Sequence, residues 1–360
     1  MAYMNDSPLF TFIVACYQTE PYLPKSLGAI ARQTYSDFEA ICYVEESTDN
    51  SLAFCQHMAE SDSRFKVVSA PKSGAASATR NYGVNNARGK YLVVLDGDDW
   101  IVDDMLEKLA AKLEKTGTVD VLSFVAVTTE LDDVDVEQCA KNSNFSRKDD
   151  EDGVFSGMDA IRRVGRNGGR FIHSTFCSIY RVQFMREHHL YQTEGLLAED
   201  FESTARIWFA AEKFAYLDEK LYVYRRRLNS LTTEKSSRIT IHTTIQTRAL
   251  MKFAESHTIP KDILVIWSNQ WLSVLYWFWF HPISSQKISD DDRIRAINIM
   301  LEGEGRQMFI RFVKLASWPR RISLPLILLA AKGILFPAKL FFQKFYYPMV
   351  DPNLKKKQKK

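Results

Sequence analysis

Short apolar runs alternate with amphipathic segments along the first 130 residues of the chain. The apolar runs are rich in β-branched and aromatic residues, which is typical of buried strands. The segments between them open with proline or capping residues and carry apolar residues at helical spacing, which predicts helices. The predicted strands are FTFIVACY (10–17), FEAICYVE (38–45), RFKVVSA (64–70), KYLVVL (90–95) and VDVLSFVAV (119–127), and the predicted helices begin at Glu20-Pro21 and cover 47–61, 77–87 and 102–117. We therefore expect an α/β fold, Rossmann-like, in which helices cover both faces of a mostly parallel sheet.

The pattern changes after this alternating part. Residues 130–152 are rich in Asp, Asn, Ser and Lys and predict an exposed loop, and residues 153–232 mix two helical segments with a strand near KLYVYRR. From about residue 235 the pattern is helical to the end of the chain. We expect a first domain at 1–232, with halves at 1–130 and 153–232, followed by a mainly helical region at 233–360.

Composition narrows the class of protein only slightly. The chain has 360 residues, of which 46% are hydrophobic and 25% charged, and its net charge of +3 is too small to indicate nucleic-acid binding. Its five cysteines show neither a Cys-x-x-Cys pair nor a metal-ligand spacing, so we expect buried thiols rather than disulfides or a metal site. The first ten residues lack a basic segment followed by a long apolar run, so we expect no signal peptide and a cytoplasmic location.

The stretch YLVVLDGDDW (91–100) carries the strongest chemical signal. Asp96, Asp98 and Asp99 crowd the end of a predicted buried strand, and open α/β sheets bind their ligands at this end of the strands. The three carboxylates repel one another unless a cation is bound, and oxygen ligands suit Mg²⁺ or Mn²⁺ shared with substrate phosphates. A solvated turn is the alternative, because Asp and Gly are common in turns. The chain has no GxxxxGK[ST] motif, and no GxGxxG follows the first strand.

Three blocks of sequence, one of which ends in this stretch, occur in order along the chain. They are FIVACYQTEPYLPKSLGAIARQTYSDFEAICYVEESTDNS (12–51), SGAASATRNYGVNNARGKYLVVLDGDDW (73–100) and AEDFESTARIW (198–208). Together they resemble the inverting glycosyltransferases of family 2, which have the GT-A fold, and the likeness covers residues 8–130 well and 153–232 moderately. The resemblance implies metal-dependent transfer of a sugar from a nucleoside diphosphate sugar, here a UDP-sugar, to a hydroxyl group. The implied acceptor is a glycan or lipid-linked glycan of the bacterial surface type.

The resemblance also implies roles for individual residues on the donor side. Tyr17 would lie against the base of the nucleotide, and Glu45 would accept a hydrogen bond from the base where the family usually has Asp. Arg80 would contact the base or the diphosphate. Asp96 would face the sugar or ribose, and Asp98 would bind Mg²⁺ or Mn²⁺ together with the diphosphate.

On the acceptor side, Asp200 would be the general base, and a helix cap or first-turn acid is the alternative. Its neighbour Glu199 has suitable chemistry, but we expect its side chain to point elsewhere. Asp99 would order the acidic loop. His173 could bind a sugar hydroxyl or phosphate, with a structural histidine as the alternative, and Arg225 could contact phosphate, with surface charge as the alternative.

The chain departs from the family pattern in ways that leave the nucleotide and the acceptor open. VEESTD (44–49) lacks the glycine that usually follows the acidic pair, and Ala15 and Gln18 stand where Ser or Thr and Asn are usual. Two other functions stay as alternatives. One is a nucleotidyltransferase, which usually has a glycine-rich loop after the first strand, and the other is a catalytically silent scaffold that binds nucleotide or glycan.

The C-terminal region is apolar but interrupted by polar residues. Between residues 324 and 349, Lys332, Lys339 and Gln343 fall on one helical face, and no uncharged run is long enough to span a membrane. This pattern predicts amphipathic helices that lie in the membrane plane, and the lysine tail KKKQKK (355–360) would favour an anionic leaflet. We expect residues 320–360 to place the protein on the inner face of the plasma membrane, and the aromatic segment 263–280 could join the same surface. The alternative is a helical subdomain packed on protein.

Overall fold

The computed structural model describes residues 7–132, 134–139, 153–166, 174–227, 237–281 and 288–350. The chain divides into two compact units, Met1–Leu228 and Asn229–Lys360. The first unit combines a sheet with helices, and the described part of the second unit is helical.

Eight strands form one sheet within the described residues of the first unit. They are β1 (Phe10–Cys16), β2 (Phe38–Glu45), β3 (Phe65–Ala70), β4 (Tyr91–Asp96), β5 (Trp100–Ile101), β6 (Val121–Thr129), β7 (Ser178–Arg181) and β8 (Phe214–Arg225). Their order across the sheet is β3-β2-β1-β4-β7-β6-β8-β5. Pairing is parallel from β3 to β4 and between β6 and β8, whereas β7 is antiparallel to both its neighbours and β5 is antiparallel to β8.

The predicted α/β class is confirmed, and each of the five strands predicted in the first 130 residues is present. The prediction missed β5 and β7. These strands are two and four residues long, so no hydrophobic period can develop within them. Their antiparallel pairing was therefore not foreseen either.

Helices cover the sheet as the hydrophobic pattern predicts. The helices of the first unit are α1 (Leu23–Ala31), α2 (Ser51–Ser61), α3 (Ser77–Asn86), α4 (Met105–Thr116), α5 (Gly157–Arg166), α6 (Val182–Glu187) and α7 (Glu199–Ala210), with a 3-10 turn at Thr175–Cys177. In α4, Leu106, Leu109 and Leu113 lie on one buried face at helical spacing. The helix stops at Gly117, whose φ of +73° suits glycine and few other residues.

The ends of three neighbouring strands bring the predicted site residues together. In the parallel register, Cys16 of β1 pairs with Val44 of β2, and Ala15 pairs with Asp96 of β4. The turn after β4 then crosses the tip of β1, where the N–H of Gly97 donates to the carbonyl of Ala15 at 2.9 Å. A Cβ atom on Gly97 would lie 2.8 Å from that carbonyl oxygen, so this close approach requires glycine.

The described part of the second unit consists of helices. They are α8 (Ser237–Ser256), α9 (Lys261–Phe280), α10 (Asp290–Leu301), α11 (Gly305–Leu315), α12 (Trp318–Arg321), α13 (Leu324–Ala331), α14 (Phe336–Phe341) and α15 (Tyr347–Val350), with a π-helical segment at Phe342–Tyr346. Helices are therefore present where the apolar C-terminal pattern predicts them. The lysine tail at 355–360 lies outside the described residues.

The aromatic segment 263–280 forms the core of the second unit. Trp267, Trp271 and Trp279 of α9 are fully buried, and only Trp277 among its large apolar residues is strongly exposed. Most aromatic residues of this segment therefore pack inside the unit, which favours the alternative of a helical subdomain for residues 263–280. Among the described residues, no helix is both long enough and apolar enough to cross a membrane.

Candidate functional site

A planar ring and a carboxylate lie at the carboxyl ends of β1 and β2, beside the loop that follows β3. Tyr17 follows β1, and Glu45 is the last residue of β2 and is 6% exposed. Lys72 Nζ donates to the Tyr17 hydroxyl at 2.5 Å and lies 4.5 Å from the centre of the same ring. The Ser73 hydroxyl donates to the carboxylate of Glu45. An aromatic ring next to a buried hydrogen-bond acceptor suits a flat heterocycle that carries an N–H group.

Arg80, on α3, links the tip of β4 to the start of α7. Its Nη1 donates to Glu199 Oε1 at 2.5 Å and to Asp200 Oδ1 at 2.6 Å, and its Nη2 lies 3.4 Å from Asp96 Oδ1. Arg80 is 6% exposed, and its Nε has no hydrogen-bond partner among the described residues. One buried cation therefore serves three carboxylates, one from β4 and two from α7.

Two of the carboxylates around Arg80, those of Glu199 and Asp96, have a raised pKa. Burial raises the pKa of Glu199 to about 7 and that of Asp96 to about 6, although attraction to Arg80 opposes both changes. Repulsion from Asp200 adds to the effect of burial at both groups. Perturbed carboxylates of this kind are concentrated at functional sites, where a bound cation or polar ligand relieves the repulsion.

The acidic turn after β4 is tied to the end of β8. Asp99 is 1% exposed and accepts hydrogen bonds from the Tyr222 hydroxyl at 2.6 Å and from the backbone N–H of Arg225 at 2.7 Å. Burial also raises the pKa of Asp99 well above its usual range. Arg225 Nε donates to the backbone carbonyl of Asp98 at 2.8 Å, while Arg227 Nε donates to the Asp98 carboxylate at 2.6 Å. Asp99 thus anchors the turn, and Asp98 presents its side chain to a guanidinium.

The oxygen atoms of this turn suit a hard divalent cation such as Mg²⁺ or Mn²⁺. Both carboxylate oxygens of Asp99 are already engaged in hydrogen bonds, which leaves Asp98 and Asp96 as the available carboxylates. Among the described residues, no group of three or more His, Cys, Asp or Glu side chains could hold a metal ion by itself. A cation would therefore take most of its ligands from a bound molecule. The Asp98 carboxylate would either leave Arg227 and bind the cation, or bind both.

Asp200 lies in the first turn of α7 and is held mainly through one oxygen. Besides the bond from Arg80, Oδ1 accepts from the Thr175 hydroxyl at 3.0 Å and from Gln192 Nε2 at 3.3 Å. Oδ2 accepts from the backbone N–H of Thr175 at 3.3 Å. The side chain is 20% exposed. Asp200 is thus a first-turn acid, which the helix dipole favours, and it also belongs to the Arg80 cluster.

One prediction about this cluster is wrong. The side chain of Glu199 does not point away from that of Asp200, because both carboxylates accept a hydrogen bond from Nη1 of Arg80. Neighbouring positions differ by about 100° around a helix, so both side chains can reach one guanidinium that lies between them.

The remaining predicted residues have different outcomes. Arg225 is buried at the end of β8, Arg226 is exposed, and Arg227 turns back to the acidic turn, so the three arginines alternate in direction. Arg225 also forms an ion pair with Asp132. His173 lies outside the described residues. The roles of all these residues stay predictions.

Several residues of the site were not foreseen from the sequence. Thr175 and Gln192 hold Asp200, and Lys72 and Ser73 contact the predicted base-binding residues. Each is a single polar residue outside the long helices and strands, so no spacing in the sequence distinguishes it from an ordinary polar residue at the surface. Tyr222 could have been suspected, because KLYVYRR places it three positions before Arg225 in a predicted strand.

Comparison with protein families and with curated proteins supports the predicted resemblance. The family model described as "Glycosyl transferase family 2" matches residues 11–189. Glycosyltransferase GlyG of Streptococcus pneumoniae serotype 4 is 28% identical over an alignment of 243 residues, and the match covers 62% of this chain and 73% of GlyG. Glycosyltransferase GlyA of the same organism is 30% identical over 229 residues, which are 62% of this chain but only 32% of GlyA.

Comparison with solved structures supports the fold. The crystal structure of S. aureus TarS 1-349 in complex with UDP-GlcNAc has a TM-score of 0.72 against this chain, with 19% sequence identity. The likeness covers 93% of this chain and 91% of that one. It confirms the predicted GT-A fold with a helical C-terminal extension.

Proposed function

Because this chain belongs to glycosyltransferase family 2 and is a glycosyltransferase, we propose that it transfers a sugar from a UDP-sugar to a hydroxyl group of a glycan or lipid-linked glycan. The observation that carries the proposal is the cluster around Arg80. It joins Asp96, at the tip of the strand that ends in the acidic turn, to Asp200 in the first turn of α7. Donor-side and acceptor-side carboxylates thus belong to one connected site.

The nucleoside of the donor would bind at the ends of β1 and β2. Tyr17 offers an aromatic face to the base, and Glu45 offers a carboxylate that can accept from the N3–H of uracil. Lys72 and Ser73 lie against these two side chains and would move to the carbonyl oxygens of the base. The UDP-GlcNAc complex of TarS, which shares the fold, supports uridine over the other nucleosides.

The reaction would be a single displacement with inversion at the anomeric carbon. The bond from the anomeric carbon to the diphosphate oxygen breaks as a bond to the acceptor oxygen forms on the opposite face. A hydroxyl is a weak nucleophile until a carboxylate takes its proton in the transition state. Asp200 would be that base, and the proton would end on its carboxylate while the nucleoside diphosphate leaves with the bonding electrons.

The leaving diphosphate needs positive charge around it, and the site can supply it in two ways. Arg225 and Arg227 already contact the acidic turn and would bind phosphate oxygens. We propose that Asp98, with Asp96 beside it, holds Mg²⁺ or Mn²⁺, which when bound neutralises the charge that develops on the diphosphate. The oxygen-rich donor set at this turn is the support for this cation.

A donor screen tests this proposal. The full chain would be mixed with UDP-, GDP-, CDP- and dTDP-sugars, with Mn²⁺ or with a chelator, and binding and slow donor hydrolysis would be measured. We expect a UDP-sugar to bind only with the cation, Asp98→Asn to abolish binding, and Asp200→Asn to keep binding but stop turnover. Asp62→Asn is the matched control, since Asp62 pairs with Arg64 at a surface outside the cluster. Binding of a donor without any turnover by the parent chain would favour a silent scaffold, and binding of none would overturn the proposal.

We also propose that the C-terminal helices bind an anionic membrane surface, which would bring the enzyme to a lipid-linked acceptor on the inner face of the plasma membrane. Trp318, Phe336 and Phe345 are 63%, 73% and 64% exposed. Between Gly305 and Val350 the sequence has eight Lys and Arg residues and neither Asp nor Glu. Exposed aromatic residues within a segment whose charged residues are all basic suit the interface of an anionic bilayer.

Vesicle co-sedimentation tests this second proposal. The full chain should sediment with vesicles that contain about 30% anionic lipid and not with neutral vesicles, because the segment carries only positive charge. Phe336→Ser should weaken the association, and Arg320→Gln with Arg321→Gln should weaken it further. Leu131→Ser is the matched control, because Leu131 is 65% exposed but lies in the first unit. Equal sedimentation of Phe336→Ser and the parent chain, or a concentration-dependent dimer without lipid binding, would instead support a protein interface.

A further inference from the structure

We propose that Thr175 and Gln192 are positioning residues that hold the Asp200 carboxylate with its Oδ2 atom directed to the acceptor hydroxyl. The inference rests on the proposed function, in which Asp200 is the general base. It adds which atom of Asp200 takes the proton and which neighbours decide this.

Thr175 clamps both oxygens of Asp200. Its hydroxyl donates to Oδ1 at 3.0 Å, and its backbone N–H donates to Oδ2 at 3.3 Å. Thr175 is 2% exposed and opens the 3-10 turn Thr175–Cys177, so its backbone is held by regular structure rather than by a free loop. A single residue with two donors to one carboxylate restricts the rotation of that carboxylate.

Gln192 reinforces the same orientation from another segment. Its Nε2 donates to Asp200 Oδ1 at 3.3 Å and to the Ser203 hydroxyl at 3.1 Å, and its backbone N–H donates to Asn81 Oδ1 at 2.8 Å. Gln192 is 7% exposed. Because both its backbone and its side chain are bound, Gln192 can hold Asp200 without losing further conformational freedom during the reaction.

The two carboxylate oxygens of Asp200 are thereby made unequal. Oδ1 accepts from Arg80, Thr175 and Gln192, whereas among the described residues Oδ2 accepts only the longer bond from the backbone of Thr175. A carboxylate oxygen accepts about two hydrogen bonds through its lone pairs, so Oδ1 has no capacity left for a proton. Oδ2 is therefore the atom that can approach the acceptor hydroxyl.

The first test removes one donor at a time. Thr175→Val keeps the backbone donor and the shape of the side chain and removes only the hydroxyl, so kcat should fall about 10- to 100-fold, as expected for a misplaced base. In Thr175→Val the Kd for UDP should stay within about twofold, because the hydroxyl that is removed donates to Asp200. Thr175→Ser should restore kcat to within about threefold of the parent chain, and Gln192→Met should lower kcat about tenfold.

Thr11→Val is the matched control. Thr11 is also a buried threonine whose hydroxyl donates to a buried carboxylate, at 2.9 Å to Glu39, but it lies at the amino end of β1. The turnover of Thr11→Val per folded molecule should equal that of the parent chain. A Thr175→Val variant with parental kcat, or a Thr175→Ser variant that fails to restore kcat, overturns the inference.

Two further measurements separate positioning from general damage and from failure of the proposed function. In an Asp200→Asn background, Thr175→Val should cause no additional loss, because residues that act through one group are not additive. A crystal structure of Thr175→Val should show the Asp200 carboxylate rotated from its position in the parent chain. An unchanged carboxylate would overturn the inference whether or not a donor is found, whereas a parent chain without turnover on any donor would overturn the proposed function alone.

Discussion

The two ends of the sheet in the first unit each contain a buried glutamate, and the pKa values of these two glutamates are changed in opposite directions. At the amino ends of the strands, burial alone would raise the pKa of Glu39, but hydrogen bonds from Lys66 and Arg88 lower it to about 2. Near the carboxyl end of β4, burial outweighs the attraction of Arg80 and raises the pKa of Glu199 to about 7. Both glutamates are buried, so burial by itself does not decide the direction of the change.

The number of donors for each acid decides it. Glu39 alone accepts from Lys66 at 2.8 Å, from Arg88 through its side chain at 2.8 Å and its backbone at 2.9 Å, and from a threonine hydroxyl at 2.9 Å. Arg80 is instead shared by three acids. The charges at the amino end thus stabilise the fold. The carboxyl end has an acid excess, meaning more carboxylates than cationic groups to pair with them, and a ligand can relieve it.

The largest expected effect is on turnover at the carboxyl end. Asp200→Asn should lower kcat about 10³-fold, because an amide cannot take a proton from the acceptor. The free energy of unfolding should stay the same or increase, since one carboxylate of the acid excess is removed. Steady-state kinetics and urea unfolding check the two parts. If the variant lost stability but kept turnover, Asp200 would serve the fold and not the reaction, which is the opposite of what we expect at this end.

At the amino end the same kind of substitution should act on stability alone. The difference between a pKa of about 2 and the ordinary 4.5 corresponds to about 3 kcal/mol, so Glu39→Gln should lose about that much free energy of unfolding at pH 7. Because the pKa of Glu39 is lowered in the folded state, its contribution is complete above about pH 4.5 and is lost as the pH falls through about 2. Urea unfolding at several pH values checks this, with the exposed Glu60→Gln as control.

Turnover per folded molecule should be unchanged in Glu39→Gln. If kcat falls together with stability, the amino end would be coupled to the site, and the division between the two ends would not hold.

The two ends also differ in how far the sequence predicted them. The strand YLVVLD and the turn DGDD were recognised because five apolar residues run directly into three acids, and such a contrast needs no knowledge of the fold. Glu39 was not singled out. Its partners Lys66 and Arg88 lie 27 and 49 residues further along the chain, so only the parallel pairing of the strands brings them together.

The same limit applies within the site. Asp200 and Arg80 were predicted because each belongs to a block that resembles a family, yet the direct bond between them spans 120 residues. Helix geometry alone predicts the wrong direction for the Glu199 side chain, because Arg80 attracts the carboxylates of both Glu199 and Asp200. Thr175 and Gln192 had no signal at all. Motifs therefore predicted the candidate site residues, and the fold alone identified the residues that hold them.

A third prediction concerns the acid excess itself. Because the pKa of Glu199 is raised in the folded state, the folded chain binds more protons than the unfolded chain between about pH 4.5 and 7, and Glu199 lowers stability as the pH rises through this window. Glu199→Gln removes this penalty. The variant should therefore gain about 2 kcal/mol relative to the parent chain between pH 5 and pH 8, as measured by urea unfolding. A constant difference across this range would show that Glu199 is already charged at pH 5.

The smallest expected effect separates the contribution of Lys66 from those of the other donors to Glu39. Lys66 is 47% exposed while the Glu39 side chain is 3% exposed, so solvent screens the lysine and its bond to Glu39 is worth less than the pKa of Glu39 suggests. Lys66→Met should cost at most about 1 kcal/mol, because Arg88 and the two uncharged donors still hold the carboxylate. About half of the loss should disappear when the salt concentration is raised to about 1 M, where surface charges are screened. The exposed Lys213→Met serves as control. A loss as large as that of Glu39→Gln would mean that Lys66 alone lowers the pKa of Glu39. The difference between Glu39 and Glu199 would then depend on one ion pair and not on the number of donors.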